Sequence, residues 1–229
     1  MTDMVLLSDE RIAAVPVREC GEPLVDLRTV GEFDVDDRQA DPGGWYARVR
    51  IGVAGRLRAA QRALPDGYRL VVVEGYRPPE LQRRYFAEHV AFLTGRYPGL
   101  PAARVRERAS AYIAPPEVAP HPTGGAVDVT LRGPDGALCW MGTEVNASPE
   151  ESDRACYTDA PNITEGSRAN RATLRAAMGV GGFVNYPSEW WHWSMGERYW
   201  AFVTGAGSAR YGSLAAARGI DGIPPPRGT

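Results

Sequence analysis

Ala119-Pro120-His121-Pro122-Thr123-Gly124-Gly125-Ala126-Val127-Asp128-Val129-Thr130-Leu131 holds the most informative pattern in this chain. Its prolines impose a rigid, extended approach to His121. The paired glycines allow a tight turn, after which Gly125 to Leu131 alternates as a strand. Val127, Val129 and Leu131 face one way; Ala126, Asp128 and Thr130 face the other. Asp128 is therefore predicted on the polar face of a strand that begins just after His121. An imidazole and a carboxylate brought together this way can be two ligands of a borderline metal such as zinc. By spacing alone a structural pair is the commoner reading.

Working outward, Asp135-Gly136 is a hairpin signal that returns the chain through Ala137–Met141. Upstream, Leu70-Val71-Val72-Val73 within Tyr68–Glu74 reads as a buried strand, and Glu22–Arg28 as a short one. Val49, Val53, Leu57, Ala60 and Leu64 mark one face of a helix over Trp45–Leu64. Further helices are predicted over Pro79–Leu93, Ala102–Ile113 and Ile163–Met178. Strands are predicted over Gly182–Tyr186, Trp190–Ser194 and Arg198–Thr204. Helices and hairpin-like strands are grouped rather than alternating. That predicts an α+β domain with a mainly antiparallel central sheet and flanking helices.

The 229 residues, 44% hydrophobic and 24% charged, suit one globular domain over 1–229, with an irregular tail from about 212 to 229. A formal charge of -2 argues against nucleic acid or an anionic membrane as partner. No apolar run reaches the ~18 residues of a membrane helix. The opening lacks the basic start and apolar stretch of a signal peptide, so the expectation is a cytoplasmic protein. A homo-oligomer is compatible with the sequence. All 26 basic residues are arginine, so no lysine can act as a base or form a Schiff base. Cys20, Cys139 and Cys156 form no CxxC pair and are expected to be buried free thiols.

Only three histidines are present. His89 lies in a helix near Leu81, Tyr85 and Phe92 and reads as a packed helix residue. His192 stands in Ser188-Glu189-Trp190-Trp191-His192-Trp193. That cluster reads either as an aromatic core with one bonded histidine, or as a metal ligand and an acid/base behind walls that exclude water. Positions three apart on a regular strand point to opposite faces, so Glu189 and His192 can share a site only across a bend. Pro187 favours one.

Three motifs in order, Glu74-Gly75-Tyr76-Arg77-Pro78, His121–Leu131 and Ser188–Trp193, resemble the zinc D-alanyl-D-alanine dipeptidases. The fold of that family is shared with D,D-carboxypeptidases and Hedgehog domains. Met141-Gly142-Thr143 and Arg175-Ala176-Ala177-Met178 extend the likeness over roughly residues 22 to 205. The resemblance implies one zinc ion per chain held by His121, Asp128 and His192, with a fourth position left for water. It implies Glu189 as the group that takes the water's proton and delivers it to the leaving amine. It implies Arg77 as the donor to the oxyanion; a structural ion pair at a strand end is the alternative for that residue.

Two positions depart from the family, and both concern substrate binding. Ala119 replaces the usual serine two residues before the first histidine, and Asn146 replaces an aspartate that binds the substrate's free amine. The loss of that charge weakens an ammonium contact unless Glu144 or another acid in 142–153 substitutes. The expected function is zinc-dependent hydrolysis of a small peptide of the D-Ala-D-Ala type. The alternatives are a zinc hydrolase recruited to a modified or N-blocked peptide or amide, and a zinc-binding module without catalysis.

Overall fold

The computed structural model describes residues 4–214. Strand β4 (Arg69–Glu74) and strand β5 (Ala126–Arg132) are the centre of a five-stranded sheet. β4 pairs with the short β2 (Asp34–Val35), the one parallel pairing within this sheet, and antiparallel with β5. β5 pairs antiparallel with β7 (His192–Ser194), which closes on β6 (Val184–Asn185). Beside this sheet β1 (Leu24–Asp26) and β3 (Arg48–Arg50) form a two-stranded ribbon. The mainly antiparallel α+β architecture matches the sequence expectation.

Helices α2 (Ile51–Ala63) and α5 (Glu165–Val180) flank the main core. Leu57, Val127, Val129, Leu131, Leu174 and Met178 meet there almost without solvent contact. Thr164 begins α5 by accepting the Ser167 N–H, one of the donors that a helix start leaves unpaired. Helices α3 (Pro79–Arg96) and α4 (Ala102–Ala109) form a second layer around Leu81, Tyr85, Phe86, Leu93 and Val105. Pro79 at the first turn of α3 has no N–H to leave unsatisfied. His89 is packed against Phe92 and Tyr112, as its helix position predicted. No helix among the described residues is long and apolar enough to cross a membrane.

Several expectations are corrected. The helix predicted from Trp45 begins only at Ile51. Trp45–Ala47 is a single 3-10 turn and Arg48–Arg50 is strand β3, whose pairing with β1 outweighs the helical period. The segment predicted as a strand over Arg198–Thr204 is helix α6, because the Glu197 carboxylate caps it by accepting the N–H groups of Tyr199 and Trp200. The return of the hairpin after Asp135-Gly136 contributes one bridge, Arg132 to Leu138, rather than a strand. Cys156 is buried but Cys139 is half-buried and Cys20 exposed, since the segment bearing Cys20 runs over the surface; all three are free. Residues 212–214 have no regular structure, and the rest of the tail expected from about 212 to 229 lies outside the described residues.

Near the start of the chain, helix α1 (Glu10–Ala13) is capped by Asp9 and buries Ile12. The preceding residues pack with Val118, Tyr186 and Tyr199 in a small separate cluster. The segment at residues 19–22 and the last described residues converge on the buried Arg50. Its guanidinium donates to the carbonyls of Glu22, Thr123 and Gly212 and to both oxygens of Glu19.

Candidate metal centre

Strand register assembles the site. Glu74 on β4 is paired with Asp128 on β5, and Asp128 with His192 on β7, so three polar residues lie in one row across the sheet. A register irregularity between Val72 and Glu74 aligns Glu74 with that row. Directly paired residues project to the same face, so Asp128 and His192 meet without any bend between them. Both faces of β5 are closed to solvent, and Asp128 is only 2% exposed. The face expected to be polar is thus an interior one, occupied by the site.

His121 enters from a 3-10 turn, His121–Thr123, that ends at Gly124. Gly124 has φ +69°, and a Cβ there would collide with Leu24. The His121 Nδ1 lies 2.7 Å from the carbonyl oxygen of Gly75, which accepts its proton. That bond fixes the tautomer and turns the bare Nε2 into the site. The Nε2 lies 3.1 Å from His192 Nδ1 and 3.4 Å from Asp128 Oδ1; His192 Nδ1 is 3.0 Å from the same oxygen. Ligands at zinc's usual bond lengths sit about 3.3–3.5 Å apart along a tetrahedral edge. The three donor atoms therefore form a triangle of nearly the size a tetrahedral divalent ion needs. All three residues are buried, and together they make the one group of this kind among the described residues.

Glu189 sits in the turn between β6 and β7, which is the bend that the sequence required. The turn is tied by Glu189 N–H to Tyr186 O at 3.0 Å and His192 N–H to Glu189 O at 3.2 Å. Asn185 reinforces it, donating its Nδ2 to the carbonyls of Glu189 and His192, each at 3.0 Å. The result brings Glu189 Oε2 to 3.9 Å from His192 Nδ1. Burial pushes the Glu189 carboxyl well above the usual range, with the nearby Asp128 charge acting in the same sense. Asp128 moves the other way: burial opposes its ionisation, but the two imidazoles outweigh that and hold it low.

Arg77 lies past the end of β4 and is nearly buried. Its Nε and Nη2 donate to the two oxygens of Glu74 at 2.7 and 2.5 Å, and Nη1 to Gln82 Oε1 at 2.9 Å. A guanidinium has five N–H donors, so two remain for a ligand. Gln82 is itself anchored through Nε2 to the carbonyl of Ala114.

These side chains line one cavity, bounded by His121, Asp128, His192, Glu189, Arg77 and Asn146. Asn146 has φ +65°, its carbonyl accepts the Tyr112 hydroxyl at 2.8 Å, and its Nδ2 is buried without a hydrogen-bond partner. Ala119 does not line this cavity; it is buried beside another depression, with Val17, Glu197 and Tyr211. Glu144 is exposed and pairs with Arg38, and no acid from 142–153 reaches the cavity. Sequence reasoning missed Glu74 as a partner of Arg77, although its place three residues earlier in the same motif was a usable signal. Gln82, Tyr112 and Asn185 stand in no motif and carried none.

The comparisons with known proteins decide the family. A family model described as peptidase M15, D-ala-D-ala dipeptidase, matches residues 47–203. The chain belongs to the M15 peptidase family. Membership makes it a metallopeptidase, which removes the reading as a zinc-binding module without catalysis. A D-alanyl-D-alanine dipeptidase of Synechocystis is 30% identical over 82% of this chain and 88% of its own length. One from Streptomyces coelicolor is 31% identical over 61% of this chain and 68% of that protein. One from Enterococcus faecium is 32% identical over 60% and 67%. The solved LdcB LD-carboxypeptidase superposes with TM-score 0.48 at 19% identity, covering 81% of this chain and 73% of that one.

Proposed function

We propose that this M15 peptidase is a zinc-dependent hydrolase of small D,D-dipeptides of the D-Ala-D-Ala type. In this reading His121, Asp128 and His192 hold one zinc ion, Glu189 is the acid/base and Arg77 the oxyanion donor. The observation that carries it is the triangle of three buried donor atoms, with His121 fixed in the right tautomer by Gly75, in one cavity with Glu189 and Arg77. When bound, zinc supplies a Lewis acid that polarises the scissile carbonyl and activates water. Glu189 accepts the proton of the attacking water and returns it to the leaving nitrogen; the pinned turn holds its carboxylate beside His192 for that task. Arg77, locked by Glu74 and Gln82, directs its two remaining N–H groups at the oxygen on which charge develops.

The test is metal analysis and dipeptide hydrolysis on the zinc-loaded protein and on Glu189→Ala. The variant should keep its zinc and lose about 10²–10⁴ in kcat. A Glu189→Ala protein that keeps both metal and full activity would sink the mechanism.

One observation favours a second substrate reading, a peptide blocked at its amino end. The acids lining the cavity are Asp128 and Glu189, both committed to the proposed centre, and Asn146 offers a neutral amide with an unsatisfied Nδ2. An amide donor is satisfied by an acyl oxygen and not by an ammonium group. Rates on D-Ala-D-Ala and N-acetyl-D-Ala-D-Ala, compared side by side, separate the two readings.

A further inference from the structure

Among the described residues that line the cavity, Leu7 alone lies outside residues 47–203, the stretch matched by the family model. It is 2% exposed and belongs to the small cluster with Ile12, Val118, Tyr186 and Tyr199. Its backbone N–H donates to the Tyr186 hydroxyl at 3.2 Å, and that hydroxyl donates to the Ser110 carbonyl at 3.3 Å. The next residue is held too: the Ser110 hydroxyl lies 2.7 Å from Ser8 Oγ. Asp9 then caps α1, whose Ile12 is fully buried. Three consecutive residues are thus fixed by hydrogen bonds. Leu7 is a fixed piece of the cavity wall, lining the same space as His121 and His192.

We infer that Leu7 is a specificity-determining residue whose isobutyl group restricts the cavity to dipeptides with methyl-sized side chains. The inference rests on the dipeptidase reading proposed above and adds the size limit to it. A wall of this kind discriminates by volume. A pocket that gains or loses one or a few methylenes changes selectivity by roughly 10–200-fold. The neighbouring Ser8 and Asp9 do not line the cavity and are spent on Ser110 and on the helix cap.

The test compares wild type with Leu7→Ala on three probes: D-Ala-D-Ala, D-Leu-D-Ala and D-Ala-D-Leu. For at least one leucyl dipeptide, kcat/KM relative to D-Ala-D-Ala should rise about tenfold or more. Unchanged ratios, or a uniform fall on all three, with melting midpoint and zinc content as in wild type, overturn the inference. Should Leu7→Ala not fold, Leu7→Val gives a smaller rise in the same direction, and no rise overturns it equally. Calorimetric titration of the same probes into zinc-loaded Glu189→Gln, with and without Leu7→Ala, reads the size limit without turnover. A wild type that cleaves none of the probes refutes the proposed function, while the titration ratios still decide the role of Leu7.

Discussion

Arg77 grips Glu74 with two parallel hydrogen bonds, from Nε and Nη2, inside the cavity wall. Such a fork fixes the guanidinium plane as well as its position. Burial alone would lower the arginine's proton affinity, but the Glu74 carboxylate outweighs it, so the charge on Arg77 is secure. Arg77→Lys keeps a charge and loses the fork. We expect it to lose about 10²–10³ in kcat with little change in metal content. Glu74→Gln should cost less, since one oxygen still accepts. Steady-state kinetics on a common dipeptide rank the two.

The row from Asp128 to His192 predicts linkage between metal and stability. The three proposed ligands come from separate elements and meet only in the folded chain, so in that reading zinc binds the native state and not the unfolded one. At a free concentration about a thousandfold above Kd, this adds about 4 kcal/mol. Chelation should then lower the melting midpoint by several degrees. Asp128→Asn should melt near the chelated wild type and gain nothing from added zinc. Scanning calorimetry with and without chelator checks both.

Arg171 on α5 is a buried cation that donates to four carbonyls, those of Met141, Ala155, Tyr157 and Thr158. It thereby ties down the long connection that carries Asn146, and it lies 5.6 Å from the Trp190 ring centre. Arg171→Met would leave buried carbonyls unpaired at about 1–3 kcal/mol each. We expect a loss of at least about 3 kcal/mol of stability, read as a fall in urea midpoint.

The clasp at Arg50 sets an acid limit. Burial opposes ionisation of Glu19 and Glu22, yet both are held below the usual glutamate range. For Glu19 the Gly212 and Gly21 N–H groups and Arg50 prevail; for Glu22 the Tyr211 hydroxyl, the Gly52 N–H and nearby arginines do. A carboxylate with a lowered folded pKa stabilises above its unfolded value, about 4.3, and that contribution is lost as pH falls through the folded value. The melting midpoint should decline below about pH 4.5, and Glu22→Gln should flatten that decline. Melts across pH 3–7 test it (a range set by ordinary carboxylate titration, about 4).

Much of this was legible in the chain. His121 and Asp128 could be placed beside one another because proline and glycine constrain the backbone locally, and the turn at Pro187 could be demanded from strand alternation. What a local pattern cannot hold is cross-chain pairing. Glu74 opposite Asp128 depends on a register irregularity in β4, and the identity of α6 depends on Glu197 outcompeting an apolar run that also suits a strand. Leu7 was invisible for a similar reason: only docking against Tyr186 brings it to the cavity.

The turn that carries Glu189 has a consequence for how this protein tolerates change in length. In the proposed mechanism Glu189 and His192 act together only at their present separation, because His192 is held in register by Asp128 while Glu189 is held by Asn185. One inserted or deleted residue there would carry the acid to the wrong side of the sheet. The turn after Arg132, by contrast, ends in a single bridge and bears no site residue. Across descendants of this gene, insertions should accumulate at the second turn and be purged from the first.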